Sequence, residues 1–426
     1  MRERGWNDTS SVAVVRRHRP DYMIALYTGI LMLVGLVVIY AIGPQRANVL
    51  NNAIGSNFSD SYFFIKQTVS LLLAVAAFIA ISLIPYRFVI KHATKVLIFG
   101  LLACALLFVA NKAGIPIADA TNGASRWFNL GPLGSLQPAE IVKFGLLLYL
   151  AVFLGTRSKE GRVNDAKATL IPVAIITAIA LLFIVVIQKD LGTGIALSAI
   201  VVTMLFVAGL NKKVGTGLAV AVLVIGGVFI FTAPHRVERI VTYLRGDNTS
   251  TADADSYHIQ HAKIAIGSGG LTGVGIGNSV QATGYLPEAI NDSVFAVLGE
   301  TFGFIGLVAL MAVFVALLLR LLKVLDHLVD MRLKLLAAGV FGWFGAHVIL
   351  NIAAMLGLVP LTGITLPLLS FGGTSMIFIT AALGLVFQLS RYTVHASRIT
   401  TSGDTHEDSR SGRRIGRTRY ASRRSS

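Results

Sequence analysis

A carboxylate where a polar loop meets an apolar run is a candidate proton acceptor. Asp292 is such a residue: it closes Leu286-Pro-Glu-Ala-Ile-Asn-Asp292 and is followed by Ser293-Val-Phe-Ala-Val. In a partly dry pocket at such a rim a carboxylate pKa rises, which suits it to take a proton from a substrate hydroxyl. The same position also suits a helix N-cap, the commoner role of Asp before an apolar run. Glu288 is the other carboxylate of that loop. Arg126 beside Trp127 pairs a phosphate-capable fork with a ring suited to a membrane interface. Glu140 and Lys143, three apart, share one helix face, where they either neutralise each other or leave the lysine pointing at an anionic head group.

Three further stretches stand out. Ile266-Gly-Ser-Gly-Gly-Leu-Thr-Gly-Val-Gly-Ile-Gly-Asn-Ser279 is dense in glycine, which lets backbone approach a ligand or take positive φ, and is equally the composition of a plain re-entrant loop. Gln188-Lys-Asp190 separates two apolar runs and predicts a tight hairpin, with Asp190 next to the membrane. Asn351 lies inside an apolar run, ahead of Leu358-Val-Pro-Leu-Thr-Gly-Ile-Thr-Leu-Pro-Leu-Leu-Ser-Phe-Gly-Gly-Thr-Ser375, whose prolines and glycines disfavour a continuous helix. Irregular backbone beside a bilayer is tolerated only when buried in protein or lining a wet cavity.

The elements that must position these residues are membrane helices. Of 426 residues, 54% are hydrophobic and only 14% charged, which excludes an ordinary soluble domain. Ten apolar segments are predicted near 22–43, 62–85, 93–111, 139–155, 168–187, 191–209, 214–233, 294–319, 335–357 and 375–391. The even number puts both termini on one side, and most Lys and Arg fall in the segments that are cytoplasmic if the N-terminus is inside. The net charge of +16 therefore reflects topology and attraction to anionic membrane lipid, not nucleic-acid binding. Residues 1–21 form a basic cytoplasmic segment, 22–392 the ten-span membrane domain, and 393–426 a basic, disordered cytoplasmic tail. Two outer loops are long enough to hold chemistry, near 112–138 and 234–293, the latter between spans seven and eight. The one cysteine, Cys104, excludes an intramolecular disulfide, and no cleavable signal is visible.

At these motifs the sequence resembles the SEDS family of polytopic peptidoglycan polymerases, typified by FtsW and RodA. The resemblance rests on Asn-Gly-Ala-Ser-Arg-Trp at 122–127, Gln-Pro-Ala-Glu-x-x-Lys at 137–143, Gln-x-Asp-Leu-Gly-Thr at 188–193 and Ala-Ile-Gly-Ser-Gly-Gly-Leu at 265–271. Leu-Pro-Glu-Ala-x-x-Asp at 286–292 and Leu-Pro-Leu-Leu-Ser-Phe-Gly-Gly-Thr-Ser ending at 375 complete it. Gly-Asn-Ser-Val-Gln at 277–281, Ala289, Gly299-Glu300 and Thr365 are more similar to the division type than to the elongation type. Departures from the family pattern are Lys189 for Pro, His258 and His261 for two Gln, Ile290-Asn291-Asp292-Ser293 for His-Thr-Asp-Phe, and Phe371 for Tyr.

The resemblance implies polymerisation of lipid II in the bacterial cytoplasmic membrane, at the division septum, alongside a class B penicillin-binding transpeptidase and other division proteins. It implies Asp292 as the catalytic residue, and substrate-binding positions at Arg126, Lys143, Glu140, Gln188, Asp190, Glu288 and Ser370, with Arg236 and Arg239 as further available cations. One carboxylate suffices as base, because pyrophosphate is a good leaving group that needs charge stabilisation more than protonation. No residue cluster with metal-ligand spacing is present, so no cofactor is expected and nothing in the sequence supports a divalent cation. The competing readings are a lipid II flippase or other transporter, whose path Arg126, Lys143 and Asp292 would line, an elongation-type (RodA-like) polymerase, and a division scaffold for which Asp292 is dispensable.

Overall fold

The computed structural model describes residues 19–393 apart from 116, 122–123, 130, 132–133 and 218–253. Among the described residues nine helices are long and apolar enough to cross a membrane. The segment expected as the seventh span lies outside them beyond residue 217, as do Arg236, Arg239 and the tail from 394.

In chain order the helices before the gap are α1 (Tyr22–Ile54), α2 (Tyr62–Leu83), the short α3 (Tyr86–Lys91), α4 (Ala93–Lys112), α5 (Pro138–Lys159), α6 (Ala166–Ile187) and α7 (Leu191–Ala208). After it come α8 (Ala254–Ser268), α9 (Val294–His327), α10 (Met331–Met355) and α11 (Gly373–Leu389). Helices α5, α10 and α11 form the centre, with 78%, 72% and 78% of their spans buried against 11% for α2. Outward-facing Leu72, Leu102, Leu106, Phe206 and Leu319 are exposed, as lipid-facing side chains of a polytopic bundle must be. Close packing at the centre depends on small residues where no hydrophobic drive joins helices in lipid. A Cβ at Gly145 would lie 2.7 Å from Leu97 Cα, so α4 and α5 touch backbone to backbone there.

Helix ends join the two faces of the bundle in the order the topology requires. Asp21 caps α1 by accepting from Met23 N, its own N–H donates to Ser390 Oγ at 2.8 Å, and Arg320 Nη1 lies 3.8 Å from Asp21 Oδ2. The start of α1 and the ends of α9 and α11 therefore share one face, and the described chain enters and leaves there. At the opposite face α1 outruns its apolar stretch: the helix continues through Pro44 to Ile54 and carries Gln45 and Arg46 above the loops around 277 and 288.

Two segments expected as plain loops are folded. The 112–138 loop holds an antiparallel sheet of β1 (Ala118–Thr121), β2 (Ala124–Asn129) and β3 (Ser135–Leu136), in that order. The second outer loop contains α8, which buries Ala262 and Ala265 and packs on α9.

Candidate active site

The glycine run makes a close approach to its own chain. Helix α9 breaks at Gly303, with φ 65° and ψ −166°, and the freed groups pair with the run: Val274 N donates to Glu300 O at 2.9 Å, and Phe304 N donates to Gly270 O at 2.9 Å. A Cβ at Gly273 would sit 2.2 Å from Thr301 O, so only glycine permits this seam. Just beyond, the buried Glu300 carboxylate accepts from Ser279 Oγ and from Val280 N at 3.0 Å, which fixes the start of the 279–293 loop.

That loop presents Asp292. Glu288 sits in the left-handed region at φ 48°, and its carbonyl accepts from Asn291 N at 2.9 Å and Ser293 N at 3.2 Å, closing a tight turn under the aspartate. Arg46 Nη2 lies 3.6 Å from Glu288 Oε1, which ties the turn to the extended end of α1. The N-cap position of α9 falls to Ser293, one residue on, so the capping alternative for Asp292 is not the arrangement found. Asn351 on α10 holds the site from below: its Nδ2 donates to Asp292 O at 2.8 Å and to Ile364 O at 2.7 Å. Phe371 N donates to Ile290 O at 2.7 Å. The Asp292 carboxylate is half-buried and faces Gly363, whose φ is +69° and at which a Cβ would be 3.7 Å from Oδ2. The irregular 358–375 stretch thus supplies one wall of the site.

One turn of α10 away the charges are closed off. Lys143 is fully buried; its Nζ donates to Glu140 Oε1 at 2.8 Å, lies 3.4 Å from His347 Nε2 and stands 4.9 Å over the Trp343 ring. Of the two readings left open for Glu140 and Lys143, the geometry found is that of the mutual pair. Trp343, His347 and Asn351 lie four residues apart along α10, so one helix face serves both the pair and Asp292.

The remaining expected binding residues also build framework. Arg126 Nε donates to Gln188 O at 3.2 Å and Nη2 to Lys189 O at 2.9 Å, so the fork clamps the 188–190 hairpin, where Lys189 adopts φ 53°. Asp190 caps α7, accepting from Thr193 N at 2.9 Å, Thr193 Oγ1 at 2.8 Å and Gln137 Nε2 at 3.1 Å. Gln188 is buried. Ser370 Oγ, also buried, accepts from Leu366 N at 2.9 Å and shapes the turn before α11. Arg126, Asp190 and Ser370 each hold neighbouring backbone or side chains in place through these contacts. A Cβ at Gly192 would meet Thr362 O at 2.5 Å, so the hairpin packs directly on the wall beside Asp292.

Sequence reasoning passed over Trp343, His347 and Arg46. The first two carry a signal, since polar side chains at i and i+4 in an apolar span are costly unless they meet partners. Arg46 carries none, because it lies beyond the apolar run. Among the described residues no group of three or more His, Cys, Asp or Glu could hold a metal ion.

Residues 21–395 match a family model described as cell cycle protein, covering FtsW, RodA and SpoVE. The chain is 31% identical to stage V sporulation protein E of Bacillus subtilis over 88% of its length and 98% of that protein. It is also 31% identical to the probable peptidoglycan glycosyltransferase FtsW of Nitrosomonas europaea, over 87% and 93% of the two chains. Among solved structures, a chain of a peptidoglycan synthase complex that coordinates polymerization and crosslinking superposes with a TM-score of 0.67 at 27% identity, covering 87% of this chain and 98% of the other. The rod shape determining protein RodA of Thermus thermophilus gives a TM-score of 0.61 at 26% identity, covering 88% and 98%. With its motifs, its helical body and these likenesses in agreement along nearly the whole chain, the protein belongs to the FtsW/RodA/SpoVE family of cell cycle proteins.

Proposed function

We propose that this chain is a peptidoglycan glycosyltransferase that polymerises lipid II, with Asp292 as the general base. The observation that carries the reading is the placement of Asp292. Its backbone carbonyl is held by Asn351 Nδ2 at 2.8 Å, and its half-buried side chain faces Gly363 in the wall built by the irregular 358–375 stretch.

In the transfer, the 4-hydroxyl of the acceptor sugar attacks the anomeric carbon of the lipid-linked chain as its proton passes to Asp292. The bond from that carbon to the pyrophosphate oxygen breaks with inversion, and undecaprenyl pyrophosphate leaves. One base is enough because the leaving group departs as an anion and asks for positive charge, not a proton. Arg46, next to the Asp292 loop, and Arg236 and Arg239 are the cations this reading assigns to that charge. The proton goes to a group whose backbone is held by Asn351, which favours efficient positioning.

Two features support the finer assignments. The likeness to a chain of a peptidoglycan synthase complex supports a partner transpeptidase of class B penicillin-binding type that cross-links the glycan. The relatives named FtsW support a role in division, in the bacterial cytoplasmic membrane at the septum. A transport path needs charged groups open along its length, and Lys143 is closed off by Glu140, His347 and Trp343.

The test is incubation of the purified chain, alone and with its transpeptidase, with labelled lipid II in detergent and in vesicles. Polymerised glycan is the expected product. Movement of lipid II across vesicles with no glycan formed would establish the transport reading instead.

A further inference from the structure

Helix α8 turns two imidazoles toward the loop that carries Asp292. His258 Nε2 lies 2.5 Å from Ser293 Oγ, and that oxygen lies 2.8 Å from Pro287 O. A serine hydroxyl has one proton, and a carbonyl oxygen only accepts. The proton of Ser293 therefore goes to Pro287 O, and His258 is the donor of its own contact, through Nε2–H. This assignment follows from the hydrogen-bond network. One turn further along α8, His261 Nδ1 lies 2.7 Å from Gln281 Oε1, an acceptor, and its ring packs between Tyr257 at 4.1 Å and Tyr285 at 6.1 Å. Gln281 N in turn reaches the Glu300 carboxylate at 3.3 Å. Helix α8 is thus fastened to both ends of the segment from 281 to 293.

The two fastenings differ in what they can influence. His261 anchors the far end of the loop. His258 acts on the residue directly after Asp292, while Asn351 acts on the Asp292 carbonyl from the opposite side. The peptide linking Asp292 to Ser293 is therefore held at its oxygen from α10 and, through the serine side chain, from α8.

We propose that His258 is a positioning residue for the transfer reaction, holding Ser293 by an Nε2–H donation so that Asp292 presents its carboxylate to the acceptor hydroxyl. The inference rests on Asp292 being the base. Its effect belongs to the chemical step, because the contact orients the loop that carries the proton acceptor. An imidazole that merely docks α8 would alter stability and leave the turnover of folded protein unchanged.

The experiment is a double-substitution cycle between His258 and Ser293, read as kcat and KM for lipid II in purified protein, with thermal unfolding measured in parallel. His258→Leu is expected to lower kcat on the order of 10-fold, as a small misplacement of a reacting group does, with KM changed less than about 2-fold. His258→Gln keeps an N–H donor and recovers most of the rate. Ser293→Ala keeps the imidazole and matches His258→Leu, and the double variant is no slower than the slower single one, as for residues acting through one contact. Unchanged kcat in Ser293→Ala, or losses that multiply in the double variant, overturns the proposal. So does a His258→Leu protein that is only less stable. Asp292→Asn in the same assay separates the two levels. If it still polymerises lipid II, the base assignment fails; if it is inactive while both single variants turn over normally, this inference alone fails.

Discussion

His347 and Asn351 lie one turn apart on α10, and the two regions they serve differ in how charge is held. Around His347, the Lys143 ammonium and the Glu140 carboxylate are buried together, each serving as the other's counter-charge. Around Asn351, the contacts are to backbone, at Asp292 O and Ile364 O, and the aspartate side chain is half-buried at the rim. A buried pair pays its desolvation cost through mutual attraction and is inert toward a substrate. A carboxylate whose main chain is fixed is held at a defined place on the rim, as a positioned proton acceptor must be. Burial of charge therefore marks the frame in this protein, and restraint of backbone marks the site.

The comparison breaks most visibly at Lys143. Lys143→Met leaves Glu140 buried and unpaired, and the expected loss is about 3–5 kcal/mol of stability. Thermal unfolding of purified protein reads this, and Glu140→Leu combined with Lys143→Met should recover most of it. An unchanged melting temperature with lost lipid II turnover would instead make Lys143 a substrate cation. Next comes Asn351→Ala, which removes both carbonyl contacts; about 1–3 kcal/mol is expected, together with a fall in kcat larger than the loss of folded protein explains. Gly363→Ala sharpens the same side. The left-handed backbone costs about 1–2 kcal/mol in a residue with a Cβ, and the added methyl would lie 3.7 Å from Asp292 Oδ2, so turnover should fall at unchanged KM. The smallest effect belongs to Arg126→Lys, which keeps a charge but loses the two-pronged hold on the hairpin carbonyls. A loss of about 1 kcal/mol is expected, with lipid II affinity unaltered; a large rise in KM would restore the head-group reading of Arg126.

Much of this arrangement is legible in the sequence, for reasons that differ by segment. Long apolar runs give most helix positions directly, because nothing else satisfies backbone polar groups in lipid. The exceptions are ends such as 44–54, where α1 continues into polar sequence, and the break at Gly303, which one glycine in an apolar run does not announce. The β1–β3 sheet is invisible because strands of two to six residues carry too little alternation. At the site, the prominence of Asp292 at a loop–helix junction is readable, and so is the adjacency of Glu140 and Lys143. What cannot be read is direction. Arg126 has the chemistry to hold a phosphate, and its contacts to Gln188 O and Lys189 O could not be foreseen, because partners distant in sequence decide where a guanidinium points. The glycine run is the same lesson in backbone, with its close approach made to Glu300 and Thr301.

The central claim is that Asp292 accepts the proton while the buried charges build the frame. Polymerisation of labelled lipid II by Asp292→Asn tests it most directly, since Asn keeps the shape of the side chain and removes its basicity. The account predicts wild-type folding and melting temperature with turnover reduced about 10²- to 10⁴-fold, the usual contribution of a positioned base. Turnover within a few-fold of wild type would contradict it and make Glu288, on the same loop, the next residue to test.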